Sequence, residues 1–166
     1  MVSSRVLLDP GMLYTDARLS DRYPTVEIRV ADVCLDVRDS VLVAGLCRAL
    51  VDTAAGEWAD CRPPPEVPVS MLRLATWQGA REGVTGSSLD PVTFRPRPAS
   101  EVLDDLLTHL RPALEANGDA ALVQDRLEQV QVRGNVAVRQ RAVLEKTNRM
   151  IDVVAELVRV TAGRTD

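Results

Sequence analysis

The chain has 166 residues, of which 46% are apolar and 27% are charged, enough for one ordinary domain with an apolar core. This composition excludes an intrinsically disordered chain and a collagen-like repeat. Twenty basic against twenty-four acidic residues give a net charge of −4 without a basic cluster, which argues against nucleic-acid binding through phosphate contacts.

Targeting signals and metal-binding motifs are not recognisable in the sequence. No apolar run approaches the ~18 residues that a membrane-spanning helix needs, and residues 1–5 lack the apolar stretch of a secretory signal, so we expect a cytoplasmic protein without a membrane partner. Cys34, Cys47 and Cys61 have no metal-ligand spacing and are predicted to be buried, reduced thiols. A single histidine, His109, excludes His-based metal clusters and Ser-His-Asp triads.

Two segments near the start of the chain alternate apolar and polar residues, at 13–18 and 25–33. Alternation with β-branched residues is typical of strands. Residues 19–24 end in Tyr23-Pro24 and are predicted to connect them. We therefore expect an antiparallel strand pair.

The remainder of the chain is predicted to be helical. Asp36 and Asp39 are candidate N-caps for the first helix, Ser100 for the third and Asp119 for the fourth. The predicted helices run from these caps to about 58, over 69–81, from 100 to a kink or end at Pro112, from 119 to about 132, and over 136–161. Residues 61–68 and 83–99, rich in proline or glycine, are predicted to be loops.

Two strands followed by about five helices define an α+β fold, expected as one domain over 1–166 with strands in 1–35 and helices in 36–166. An isolated two-stranded sheet is marginally stable in water and leaves both edges open. Either the helices cover this pair, or its strands belong to a larger sheet supplied by another chain. The pattern permits both arrangements.

Charged residues share faces of the two predicted strands. Glu27 and Arg29 lie on one face of the second strand, and Asp16 and Arg18 lie, with Tyr14, on one face of the first. If the two faces align, two acids and two arginines converge. Such a patch could supply an oxygen ligand to Mg²⁺ and arginines for a transferring phosphoryl group. The alternative is a solvent-facing surface with cross-strand ion pairs.

Two segments carry a resemblance to a known family: DPGMLYTDAR at 9–18 and YPTVEIRVADVC at 23–34. They resemble the C-terminal part of carboxylate–amine ligases of the glutamate–cysteine ligase type 2 family. The resemblance extends over roughly residues 5–161. Further similar stretches are 41–50, WQGAREG at 77–83, LDP at 89–91 and AVRQR at 137–141.

The resemblance implies a glutamine-synthetase-like fold and an ATP- and Mg²⁺-dependent reaction. In this family a carboxylate is phosphorylated by ATP, and an amine then displaces phosphate to form an amide. By the same resemblance, Glu27 would be a Mg²⁺ ligand and Arg29 would contact the phosphoryl group or the substrate carboxylate. Arg18 would touch nucleotide or substrate, and Asp16 would hold Arg18 in place.

The resemblance also points to residues in the helical part. Trp77 and Arg81 would line the pocket, although Trp77 could equally belong to the core and Arg81 could cap a helix end. Arg139 and Arg141 are candidates on the same grounds, with solvated helix cations as the alternative.

The sequence departs from the family in length, because members are more than twice as long and their N-terminal half supplies further metal-binding carboxylates. Smaller departures are Leu19, where proline is frequent, and Arg38, where an acid is usual. We therefore expect the C-terminal subunit of a split ligase, active only with a second polypeptide that carries the N-terminal half. Alternatives are a non-catalytic accessory or relic subunit that stabilises a complete ligase, and a truncated piece of a longer enzyme.

Overall fold

Residues 15–163 are described by the structure, a computed structural model of the chain. The chain divides into two compact units, with the boundary between Val33 and Cys34, two residues before the predicted change from strands to helices. Each unit is described by itself. Tyr14 and the first part of the DPGMLYTDAR segment lie outside the described residues.

The first unit contains the predicted strand pair. Strand β1 (Ala17–Leu19) and strand β2 (Val26–Ile28) are antiparallel, as expected, with Arg18 directly opposite Glu27. Between them the chain reverses direction, and the Ser20 N–H donates to the Thr25 carbonyl oxygen at 2.9 Å. Both strands are shorter than the alternating sequence pattern predicts.

The second unit opens with two helices close to their predicted bounds. Helix α1 (Val37–Ala59) begins after Asp36, whose side chain accepts a hydrogen bond from the Arg38 N–H and so caps the helix. Asp39 lies in the first turn and forms an ion pair with Arg133 instead. Helix α2 (Val69–Glu82) follows the proline-rich loop and ends at Gly83, whose φ of +63° suits glycine.

The predicted loop over 83–99 is wrong, because it contains an antiparallel hairpin. Strand β3 (Ser87–Leu89) pairs with strand β4 (Pro96–Pro98), with Ser88 opposite Arg97. Asp90 stabilises the turn, since its side chain accepts hydrogen bonds from the backbone of Val92 and Thr93 at 2.9 and 2.7 Å. Prolines are tolerated in β4 because an edge strand need not donate from every N–H.

Helix α3 (Ala99–Ala116) corrects the predicted cap and removes one of the two alternatives at Pro112. It begins one residue before Ser100, and the residue at its N-cap position is Pro98, without a side-chain cap. The helix also continues through Pro112 rather than ending there, because the fixed φ of proline is itself helical and its effect is confined to the preceding turn.

The chain after α3 forms three helices instead of the predicted two. They are α4 (Ala120–Arg133), α5 (Val136–Thr147) and α6 (Met150–Thr161). Asn148 adopts the left-handed conformation, with φ 52° and ψ 28°, and so divides the helix predicted over 136–161. The predicted interruption between about 132 and 136 is confirmed, and the Asn135 side chain caps α5. Asp119 lies at the N-cap position of α4, but its carboxylate pairs with Arg48.

The apolar core of the second unit lies where α1, α3 and α4 meet. Leu110 and Val123 are completely buried there. Gly45 of α1 lies against α4, and a Cβ atom built on it would be 2.9 Å from Cγ2 of Val123. The two helices therefore approach closely because Gly45 has no side chain. The other buried members of this cluster are Leu42, Ala49, Leu107, Leu114 and Leu127.

The prediction that all three cysteines are buried is wrong. Cys34 and Cys47 are half-buried, and Cys61 is exposed in the loop that follows α1. Burial raises the pKa of the Cys47 thiol. Among the helices of residues 15–163, none is long and apolar enough to cross a membrane.

Candidate functional site

Three predicted site residues meet on one face of the strand pair. Because Arg18 and Glu27 are opposite each other, the Arg18 Nε atom reaches Oε2 of Glu27 at 2.8 Å. Arg29, two residues further along β2, donates from NH2 to the same oxygen at 3.0 Å. The strand alternation therefore brings two guanidinium groups onto one carboxylate.

Asp16 lies at the next position of the same ladder. Its carbonyl oxygen accepts a hydrogen bond of 2.8 Å from the Arg29 N–H, which places Asp16 opposite Arg29. The structure thus brings all four predicted strand residues to adjacent positions. The Arg18 guanidinium is held by Glu27, while the expectation that Asp16 positions Arg18 stays a prediction.

The electrostatics of this trio favour an ionised carboxylate. The hydrogen bond from Arg18 is the largest cause that lowers the pKa of Glu27, and Arg29 lowers it further. Two guanidinium groups therefore contact one carboxylate. Since the side chains are only half-buried, an anionic group could reach them from solvent.

The other face of the strand pair is apolar and accessible. Leu19 and Val26, which are opposite each other, are 79% and 40% exposed, and Ile28, two residues further along β2, is half-buried. A strand pair with one charged and one apolar face requires a second layer on its apolar side. Two arrangements therefore remain compatible with the strand pair: helices of the chain cover it, or its strands belong to a larger sheet supplied by another chain.

The donor set around Glu27 fits Mg²⁺ only in part. Across residues 15–163, no three His, Cys, Asp or Glu side chains come together as a metal site. Mg²⁺ bound to a nucleotide is commonly held by one or two carboxylates together with phosphate oxygens. Glu27 therefore fits as a single ligand, and Arg18 and Arg29 fit as contacts to phosphate oxygens.

Trp77 and Arg81 form a second, separate pair on α2. The Arg81 guanidinium carbon lies 5.4 Å from the centre of the Trp77 ring, within the range of a cation–π contact. Trp77 is 56% exposed, so the alternative that it belongs to the core is wrong. Arg81 lies in the last turn of α2, where a cation interacts favourably with the helix dipole. Its guanidinium group also approaches the Glu82 carboxylate. The pair offers a flat aromatic surface beside a positive charge.

Arg139 is held in an ion-pair network rather than being solvated. Its Nε atom donates to Glu156 at 2.9 Å, and Arg159 donates to the other Glu156 oxygen at 2.8 Å. These hydrogen bonds, that from Arg159 first, lower the pKa of Glu156 to about 2. The network joins α5 to α6. Arg141 is exposed, which agrees with the alternative that it is a solvated helix cation.

A buried carboxylate, Asp90, was not foreseen as a distinct site. Its side chain accepts from Arg97 at 2.6 Å in addition to the turn N–H groups, and Arg97 also pairs with Glu101 and Asp105. The two backbone bonds and the Arg97 contact hold the pKa of Asp90 well below its usual range. An acid followed by proline and threonine is a turn signal, but its pairing with Arg97 depends on the hairpin.

The chain matches the family model of the glutamate–cysteine ligase family 2 over residues 4–156. This match covers most of the chain, and the chain belongs to this family. The family that the sequence resemblance indicated is therefore confirmed.

Individual relatives agree with the family match. The chain is 50% identical over 161 residues to a Streptomyces coelicolor protein named "Putative glutamate--cysteine ligase 2", covering 97% of the chain and 44% of the relative. It is also 50% identical over 163 residues to "Putative glutamate--cysteine ligase 2-1" of Streptomyces avermitilis, covering 98% of the chain and 45% of that protein. The chain thus spans less than half the length of these curated relatives.

Proposed function

We propose that this chain is the C-terminal subunit of a split, ATP-dependent carboxylate–amine ligase that acts in the cytoplasm. The observation that carries the proposal is the trio of Arg18, Glu27 and Arg29 on one strand face, in a chain of the glutamate–cysteine ligase family. Guanidinium groups beside an ionised carboxylate suit the handling of phosphate groups and a divalent cation.

The reaction we propose has two steps. An oxygen of the substrate carboxylate attacks the γ-phosphorus of ATP, the bond to ADP breaks, and an acyl phosphate forms. The amine nitrogen then attacks the acyl carbon, phosphate leaves with the bonding electron pair, and the amine loses a proton. The product is an amide, in this family typically one made from glutamate and cysteine.

Each residue of the trio has a role in this proposal. Arg29 contacts the transferring phosphoryl group or the substrate carboxylate, and Arg18 contacts nucleotide or substrate. Both neutralise the negative charge that otherwise opposes attack by a carboxylate. Glu27 provides one oxygen ligand to Mg²⁺, which supplies further charge neutralisation when it is bound. Asp16 supports the trio through its backbone bond to Arg29.

Trp77 and Arg81 are proposed to line the substrate or nucleotide pocket. Their support is the exposed cation–π pair, because an accessible aromatic ring beside a guanidinium can bind a planar or anionic group. Their contribution would be to binding rather than to bond making.

The remaining catalytic groups are proposed to come from a second polypeptide that carries the N-terminal half of the ligase. Two observations support this partner: the exposed apolar face of β1 and β2, and the length of the relatives, more than twice the matched segment. Joining the strand pair to further strands would bury that face and satisfy the open edges.

The test combines this chain with the protein encoded beside it and measures phosphate release when ATP, glutamate and cysteine are supplied. Glu27→Ala and Arg29→Ala should each lower the turnover of the assembled enzyme by about 100-fold or more. Arg22→Ala, in the exposed connection between β1 and β2, is the matched control and should keep full activity. Unchanged turnover in both site variants would remove the trio from the mechanism. Activity of the partner alone would favour the accessory-subunit alternative.

A further inference from the structure

Helix α6 has a wider apolar surface than its packing in this chain uses. Val153 is 6% exposed, and Leu157 and Val160 beside it are half-buried. Next to this packed side runs a second set of large apolar residues that shares a helix face at the spacing of i, i+4 and i+8. This α6 strip consists of Met150, Ile151, Val154 and Val158.

The strip is exposed along its whole length. Met150 is 64% exposed and Val158, two turns later, is 63% exposed. The opposite side of the helix carries Glu156 and Arg159, which are committed to the network with Arg139. Because that network ties α6 to α5, the helix cannot simply rotate to bury the strip.

We propose that the α6 strip is a docking surface for the polypeptide that carries the other half of the ligase, an inference that rests on the proposed function. An apolar helix face of this kind fits an apolar helix or sheet surface on the partner. The relatives contain more than half of their length outside the match, so a partner built from that remainder is at least as large as this chain.

The extent of the strip favours such a partner over a second copy of the chain. Four side chains exposed to this degree present roughly 400 Å² of apolar surface, about half of what each side of a standard stable interface buries. A symmetric dimer built on the strip alone would be too small. A large partner can cover the strip together with additional surface of the chain.

The experiment measures association of the full chain with the same partner polypeptide that is combined with it in the turnover assay. A double variant, Val154→Asp with Val158→Asp, places two charges in the strip and should weaken binding by about tenfold or more. Val132→Asp is the matched control, because Val132 is 90% exposed on α4, and it should bind like the unaltered chain. Circular dichroism verifies that each variant is folded.

A second measurement on the unaltered chain avoids substitutions. Amide hydrogen exchange in α6 should slow when the partner is added. The inference is overturned if the double variant binds normally, if α6 exchange is unchanged in the complex, or if the strip mediates only self-association. Glu27→Ala should bind the partner normally. A complex that forms through the strip yet makes no amide would therefore refute the proposed function and leave the docking surface supported.

Discussion

A methyl group added at Gly45 tests how closely α1 and α4 approach. Gly45→Ala brings two opposing effects to the same position. Alanine is a better helix former than glycine by about 1 kcal/mol in a helix interior. The new Cβ atom, however, would lie 2.9 Å from Cγ2 of Val123, which is completely buried and has little room to move.

The magnitude follows from that distance. Carbon atoms in favourable contact are ~3.5–4.0 Å apart, so the methyl group intrudes by more than half an ångström. Overpacking of a well-packed core typically costs ~1–3 kcal/mol. We therefore expect Gly45→Ala to leave the free energy of unfolding unchanged or to lower it by up to about 2 kcal/mol, once the helix-propensity gain is subtracted.

The assay is equilibrium unfolding in urea, with two comparisons built into the set. Gly56→Ala lies in the same helix with no atom within 4 Å of the new Cβ, and it should stabilise the chain by about 0.5–1 kcal/mol. In a Val123→Ala background the clashing methyl is gone, and Gly45→Ala should then stabilise by a similar amount. The cycle isolates the coupling between the two positions.

Two results would contradict a close contact between α1 and α4 at Gly45. If Gly45→Ala stabilised the chain as much as Gly56→Ala, the contact between α1 and α4 would not be as close as described. If Gly45→Ala remained destabilising after Val123→Ala, its cost would arise from something other than this contact.

Two further predictions concern buried or paired carboxylates. Because the pKa of Glu156 is lowered to about 2 in the folded chain from an ordinary 4.5, its network stabilises the fold above pH 4.5 and loses that contribution as the pH falls towards 2. At pH 7, Glu156→Gln should therefore lower the free energy of unfolding, measured in urea, by about 1 kcal/mol. A difference between the two proteins that did not shrink at pH 3 would contradict the network. Asp90→Ala should lower the thermal midpoint more than Asp90→Asn, since asparagine keeps the acceptor for the turn N–H groups and loses only the charge facing Arg97; equal midpoints would contradict this role.

Local sequence signals predicted the elements whose determinants are local. Asp36 is a cap that acts on its own helix, and the alternation around Val26 and Ile28 marks a strand without reference to distant residues. The β3–β4 hairpin was missed because its prolines and glycine resemble a loop, whereas its stability comes from Asp90 and Arg97 across the turn. A contact of this kind has no signature in a short window of sequence.

In the candidate site, too, local sequence patterns predicted the faces of the strands but not the contacts between them. The common face of Arg18, Glu27 and Arg29 follows from strand alternation, and the antiparallel pairing made their convergence predictable. That both arginines share one Glu27 oxygen depends on the register, which places Arg18 directly opposite Glu27. The exposure of Trp77 was likewise beyond prediction, because helical spacing does not reveal which side of α2 is covered.

The left-handed Asn148 between α5 and α6 has a consequence for how the chain could change over time. A single backbone conformation sets the angle at which the last helix departs, and asparagine tolerates that conformation far better than a β-branched residue does. A substitution there would re-aim a whole helix while leaving every side chain on its surface intact. Adaptation of α6 to a new neighbour could thus begin at its hinge, before any residue on the helix itself is altered.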